Sequence, residues 1–192
     1  QQPREARFAG IHYDIEPYTT KRWKRGEYTQ VSTELLETIR ILRYTTEQAD
    51  PYLRLSHDIP FWYSGTEDYE LEFRGVTKFL NEHIQDQCDS VGIMSYRTKM
   101  VGEHSAAYIS REELAYAAST NKRVYLSLET IPLPDTPQIS FYQRDPEELV
   151  QAIRELHAQL RHTPGYGGIY LHYYSQLRPM IEAWNARSQN KP

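Results

Sequence analysis

Five short apolar segments, each followed by a stretch of helical periodicity, limit what this chain can fold into more than any other feature. The segments are residues 8–18, 52–60, 90–96, 123–129 and 167–172. After the first, Val31, Leu35, Leu36, Ile39 and Leu42 recur at helical spacing, and a turn-rich break follows at Ala49-Asp50-Pro51. After the second, a polar loop through Ser64-Gly65-Thr66 leads to a helix expected to carry Val76, Phe79, Leu80 and Ile84. The third precedes a helix opened by Ser110 with Glu113 three positions on, a capping-box pattern. The fourth precedes Asp145-Pro146-Glu147-Glu148, a helix start whose apolar side is Leu149, Ile153, Leu156 and Leu160. A last helix is expected around Leu177, Ile181 and Trp184. Strands alternating with helices in this way imply an α/β fold with a parallel sheet.

In every unit the polar residues gather at the strand's carboxyl end: Asp14 and Glu16, Asp58, Tyr96 and Arg97, Glu129, His172. Active sites of parallel barrels and open sheets lie at that end. A complete (β/α)8 barrel takes about 200 residues or more and eight units. Five units lead us to expect the later part of a (β/α)8 TIM barrel, folded as one domain over residues 1–192, with its first units absent or supplied from elsewhere. A complete five-stranded open sheet is the competing expectation. Under the barrel reading both edges of the sheet are open, which favours pairing with missing N-terminal units or with another chain.

The first segment carries the chemistry. Side chains alternate along a strand, so His12, Asp14 and Glu16 are expected on one face. Three ionisable groups on a buried strand are costly unless they line a polar, useful site. A carboxylic acid beside a second carboxylate and under apolar walls holds its proton toward neutral pH, as a general acid must. Composition points the same way: 16 Tyr and 3 Trp against 5 Phe favour half-wet grooves in which sugars stack. A net charge of −4 with no basic block gives no footprint for nucleic acid. No apolar run approaches the ~18 residues of a membrane span, so a soluble chain with no membrane partner is expected. The start, Gln1-Gln2-Pro3-Arg4-Glu5, is not a signal peptide, and a secreted or periplasmic location follows only for a chain whose leader was removed. Cys88, the single cysteine, excludes an intrachain disulfide and a cysteine zinc cluster and reads as a buried helical thiol.

The segment Ala9-Gly10-Ile11-His12-Tyr13-Asp14-Ile15-Glu16 resembles the fourth-strand signature Asp-Gly-x-Asp-x-Asp-x-Glu of glycoside hydrolase family 18, the chitinase-like barrels. It matches at Gly10, Asp14 and Glu16, while Ala9 and His12 stand where that family has acidic residues. Met94-Ser95-Tyr96 looks like the family's Met-x-Tyr, and residues 168–172 sit where its last strand ends in Trp. The resemblance implies strands four to eight of the barrel. It also implies a glycosidic bond as substrate, Glu16 as the acid that protonates the leaving oxygen, Asp14 as the carboxylate orienting an N-acetyl nucleophile, and Tyr96 hydrogen-bonding that group. No cofactor is implied.

Residues 15–17 and 126–130 resemble instead the large clan of retaining barrels with an acid/base Glu on strand four and a nucleophile Glu on strand seven, which implies the pair Glu16 and Glu129. A barrel that binds carbohydrate without cleaving it is the rival from another class, favoured by Ala9 and His12. Metal ligation by His12, Asp14, Asp58, Glu129 and His172 lacks any local ligand spacing, and interior hydrogen-bonded histidines are the expectation, with no metal. Asp58 and Arg97 are expected to pair or to contact substrate, His12 and His172 are expected to contact substrate, and Glu129 needs either Arg97 or a site role. Trp62 and Tyr63 follow a strand tip, where they form a sugar-stacking platform or a lid. Tyr173 and Tyr174 are weaker versions of the same pattern. Trp23 and Trp184 read as packing.

Overall fold

The computed structural model describes residues 7–142 and 144–189. Its elements run β1 (Gly10–Tyr13), a 3₁₀ turn (Pro17–Thr19), α1 (Lys21–Lys24), α2 (Tyr28–Ala49) and β2 (Arg54–Pro60). A hairpin of β3 (Glu70–Phe73) and β4 (Val76–Phe79) precedes α3 (Leu80–Gln87) and β5 (Ser90–Met94). Then come α4 (Ala106–Ile109), α5 (Arg111–Thr120), β6 (Arg123–Glu129), α6 (Pro146–Leu160), β7 (Tyr166–His172) and α7 (Tyr174–Gln189). The α/β alternation read from the sequence is present.

Five strands form one parallel sheet in the order β1-β2-β5-β6-β7. The order never reverses, as it does at the switch point of a doubly wound sheet. Right-handed crossovers between successive neighbours place their helices on a single face. Burial agrees with this. Leu55, Ile59, Val91, Ile93, Val124, Leu126 and Leu128 are buried with Leu35, Leu36 and Ile39 of α2, Leu80 and Ile84 of α3, Leu114 of α5 and Leu156 of α6. The other face carries the alternate positions. His12 pairs in register with Ser56, Asp58 with Gly92, Gly92 with Tyr125, Ser127 with Tyr170, and Glu129 with His172. Most of that row is polar or aromatic, and His12, Tyr125, Tyr170 and His172 keep contact with solvent. A closed barrel is not formed among the described residues: β1 and β7 are the two ends of the sheet.

Three local expectations are corrected. The first strand covers only Gly10–Tyr13, so Asp14 and Glu16 lie in the segment beyond its end, and Phe8 is 88% exposed. An edge strand has one neighbour and buries less than its apolar composition suggests. Val76 and Phe79 belong to strand β4, not to the following helix, which starts at Leu80. The reason is the Arg74-Gly75 turn, in which both residues have positive φ, 53° and 83°. A two-residue turn of that kind folds a hairpin, and Arg in its first place hides the signal.

The third correction concerns α5. The capping box expected from Ser110 and Glu113 does not form. Ser110 Oγ donates to the Ala106 carbonyl at 3.0 Å, and Glu113 turns inward, fully buried, to accept a 2.8 Å hydrogen bond from Ser64 Oγ. Burial, with the charge of Glu112 behind it, pushes the Glu113 carboxyl up to about 7, against the opposing Ser64 bond and the Arg111 charge. The folded state therefore holds this proton at pH values where an unfolded Glu has released it. Stability is expected to fall as pH rises from about 4.5 to about 7, by up to ~3 kcal/mol from this group. Glu113→Gln should remove that loss: thermal melts of variant and wild type should diverge between pH 5 and pH 8, with the variant more stable at pH 8. A constant offset across the range would show that Glu113 does not titrate there.

Three further local expectations hold. The Asp145 side chain caps α6 by accepting from Glu147 N at 3.0 Å, with Pro146 in the first turn. Cys88 is buried at the end of α3, and burial pushes its thiol up to about 12, outside the reactive range. Trp23 is buried in packing contacts. No described helix is long and apolar enough to cross a membrane.

Candidate active site

Parallel strands deliver all their carboxyl ends to one rim, so residues far apart in sequence meet there. His12 and Asp14, two positions apart on β1 and its continuation, face the open side of the sheet. His12 Nε2 lies 2.9 Å from Asp58 Oδ2 on β2. The Asp58 hydrogen bond and charge raise the His12 imidazole above its ordinary 6.5, against the opposing effect of burial. Asp58 comes this close because the neighbouring position on β5 is a glycine. A Cβ built on Gly92 would stand 2.0 Å from Asp58 Oδ1 and 3.1 Å from the Tyr170 ring.

The other end of the sheet has a similar pair. Glu129, 2% exposed at the end of β6, accepts from the Thr130 and Ile131 backbone N–H groups at 2.7 and 2.9 Å. His172 Nδ1 on β7 sits 2.9 Å from Glu129 Oε2 and 3.1 Å from Oε1. Tyr96 stacks on the His172 ring at 6.0 Å between centroids. The peptide between His172 and Tyr173 is cis.

Asp14 and Glu16 follow the carboxyl end of β1. Burial, then the charges of Glu16 and Asp58, raise the Asp14 carboxyl above the usual carboxylate range, while His12 and His172 oppose the shift. The Tyr18 hydroxyl donates to Glu16 Oε1 at 2.5 Å and approaches Met94 Sδ at 3.7 Å. Tyr96 is raised by burial first, then by the charges of Glu129, Asp58, Asp14 and Glu16. One field thus couples Asp14, Glu16, Asp58, Glu129 and Tyr96. Below them on the open face, Tyr125 and Tyr170 stack with centroids 4.5 Å apart and ring planes 5° apart. The edge of His12 meets Tyr170 at 5.7 Å.

The structure therefore brings Asp14, Glu16, Asp58, His12, Tyr96, Glu129 and His172 to one rim, in pairings the sequence did not specify. The expected Asp58–Arg97 and Glu129–Arg97 ion pairs are absent: the two carboxylates are taken by His12 and His172. Arg97 instead donates from Nη1 to the Tyr96 carbonyl at 2.7 Å and lies over the Phe61 ring, 5.0 Å from its centre. Trp62 belongs to a packed aromatic cluster with Tyr18 at 5.1 Å, Tyr63 at 4.8 Å and Tyr69 at 5.2 Å, and Tyr63 is 1% exposed. These rings pack together beside Tyr18, whose hydroxyl reaches Glu16, and Trp62 stays partly exposed. Sequence reasoning passed over Tyr18, Gly92 and the Tyr125–Tyr170 pair. Gly92 was visible as a glycine in the middle of an apolar strand, a sign of close approach.

Among the described residues no group of three or more His, Cys, Asp or Glu side chains is arranged to hold a metal ion. Comparison with protein-family models and with curated proteins finds no match.

Proposed function

We propose that the five-stranded sheet is part of the wall of a (β/α)8 barrel and that its rim hydrolyses a glycosidic bond next to a 2-acetamido sugar. Glu16 is the general acid: its carboxyl O–H donates to the leaving oxygen as the bond to C1 breaks. The acetamido carbonyl oxygen closes on C1 as nucleophile, with Asp14 accepting from the amide N–H and Tyr96 donating to the carbonyl. Water then attacks C1, the bond between C1 and the acetamido oxygen breaks to restore the amide, and the Glu16 carboxylate takes the water's proton.

The observation that carries this reading is the grouping of Asp14, Glu16, Tyr18, Met94 and Tyr96 at one point of the rim. Tyr18 touches both Glu16 and Met94, and the Glu16 charge acts on both Asp14 and Tyr96. The two-glutamate alternative is less well supported, because Glu129 is buried and engaged by two backbone N–H groups and His172. A buried, engaged carboxylate suits orienting an imidazole better than attacking a sugar. Binding without cleavage is favoured by one contact, the Tyr18 hydroxyl on Glu16, which occupies one of the carboxyl oxygens.

The substrate decides among the three. The protein should release the aryl group from an aryl β-N-acetylglucosaminide and leave the matching β-glucoside, which lacks the acetamido group, uncleaved. Equal turnover of both would overturn substrate assistance and favour the two-glutamate reading. Binding of chito-oligosaccharides with no turnover of either would leave a lectin-like module.

A further inference from the structure

Arg97 is a cation at this rim that no carboxylate of the described residues engages. Asp58 is held by His12, Glu129 by His172 and its own backbone, and Glu16 by Tyr18. Arg97 has no acidic partner among the described residues. Its single hydrogen bond goes to the Tyr96 carbonyl, and the half-buried guanidinium lies on Phe61. Burial alone acts on its ionisation, lowering it, whereas carboxylate neighbours raise Arg22, Arg43 and Arg178. Partly burying a guanidinium without a counter-charge is unfavourable, and here the shortfall is left standing at the site.

The position is telling. Phe61 follows Pro60, which pairs in register with Met94, and Arg97 lies three residues beyond Met94. Arg97 and Phe61 therefore cap the junction of β2 and β5, directly beside Tyr96. The Phe61 ring fixes the guanidinium plane and leaves most of its five N–H donors unspent. A planar fork of this kind matches the two oxygens of a carboxylate or a sulfate. The carboxylates elsewhere on the rim would otherwise repel an anionic substrate.

We propose that Arg97 forms a subsite for an anionic group, carboxylate or sulfate, carried by the saccharide bound at this rim. The proposal rests on the glycosidase reading of the site and assigns its substrate class: an acidic oligosaccharide in place of a neutral one.

The test is calorimetric binding to the Glu16→Gln variant, so that turnover does not interfere. Three tetrasaccharide probes are compared: neutral chitotetraose, a hyaluronan tetrasaccharide carrying carboxylates, and a chondroitin sulfate tetrasaccharide carrying both groups. At least one acidic probe should bind about tenfold or more tighter than chitotetraose, the difference a charge-assisted pair supplies. Tighter binding of hyaluronan alone identifies a carboxylate site, and of chondroitin sulfate alone a sulfate site. Arg97→Met in the same background should abolish the preference, and Arg97→Lys should retain part of it. No preference for an acidic probe, or a preference that survives Arg97→Met in a variant that melts like its parent, overturns the assignment. Acidic probes that bind through Arg97 to a protein whose unmutated form cleaves no glycoside would leave this subsite standing and remove the hydrolase reading.

Discussion

Glu16→Gln is expected to lower kcat on an unactivated N-acetylglucosaminide by about 10²–10⁴-fold, the contribution of a positioned general acid. The amide has nearly the shape of the carboxyl and can still accept the Tyr18 hydroxyl, so the fold should be kept: thermal melting should match wild type. The leaving group sharpens the test. A dinitrophenyl glycoside departs without protonation, so the deficit on it should shrink toward the part that base assistance of water provides. A variant equally impaired on both substrates would point to a lost structural contact, and one with full activity would remove Glu16 from the mechanism.

Gly92→Ala should have the largest effect on stability of any single-carbon change at the rim. The new methyl would stand 2.0 Å from Asp58 Oδ1 and 3.1 Å from the Tyr170 ring. The carboxylate has no room to stay, so it must rotate away from His12 or push β2 from β5. Overpacking of this kind costs about 1–3 kcal/mol, which for a chain of this size is a fall in melting temperature of about 3–10 °C. The His12 titration should report the same event, because its raised ionisation depends first on the Asp58 hydrogen bond. An alanine variant that melts with wild type and leaves His12 unshifted would refute the close packing of these two strands.

Periodicity made much of this architecture legible. The switch between alternating and helical spacing located all five parallel strands, and chain direction placed Asp14, Glu16, Asp58, Tyr96, Glu129 and His172 at a common end. Two kinds of information were not in the pattern. Local turn chemistry was one: Arg74 at positive φ concealed a hairpin, and Glu113, which looked like a cap, was drawn into the interior by Ser64. Partner choice was the other. Several carboxylates and Arg97 stood at strand ends, and simple charge arithmetic paired Arg97 with Asp58 or Glu129. Register decides otherwise, because Glu129 faces His172 directly and Gly92 lets Asp58 lean toward β1. The resemblance at Asp14 and Glu16 rests on three residues of an eight-residue signature, and the chain has no family match to extend it.

The two imidazole–carboxylate pairs have a mechanical side. His12 ties β1 to β2, and His172 ties β7 to β6, so each outermost strand is clipped to its only neighbour by the same kind of bond. The clips stand at the rim, where an end strand held by one ladder frays first. The Asp58 hydrogen bond holds the His12 proton above the ordinary imidazole range, so loss of that proton would slacken the clip on β1. The β1 end of the sheet should therefore loosen as pH rises through the His12 titration, which makes the edge of this fold sensitive to protons.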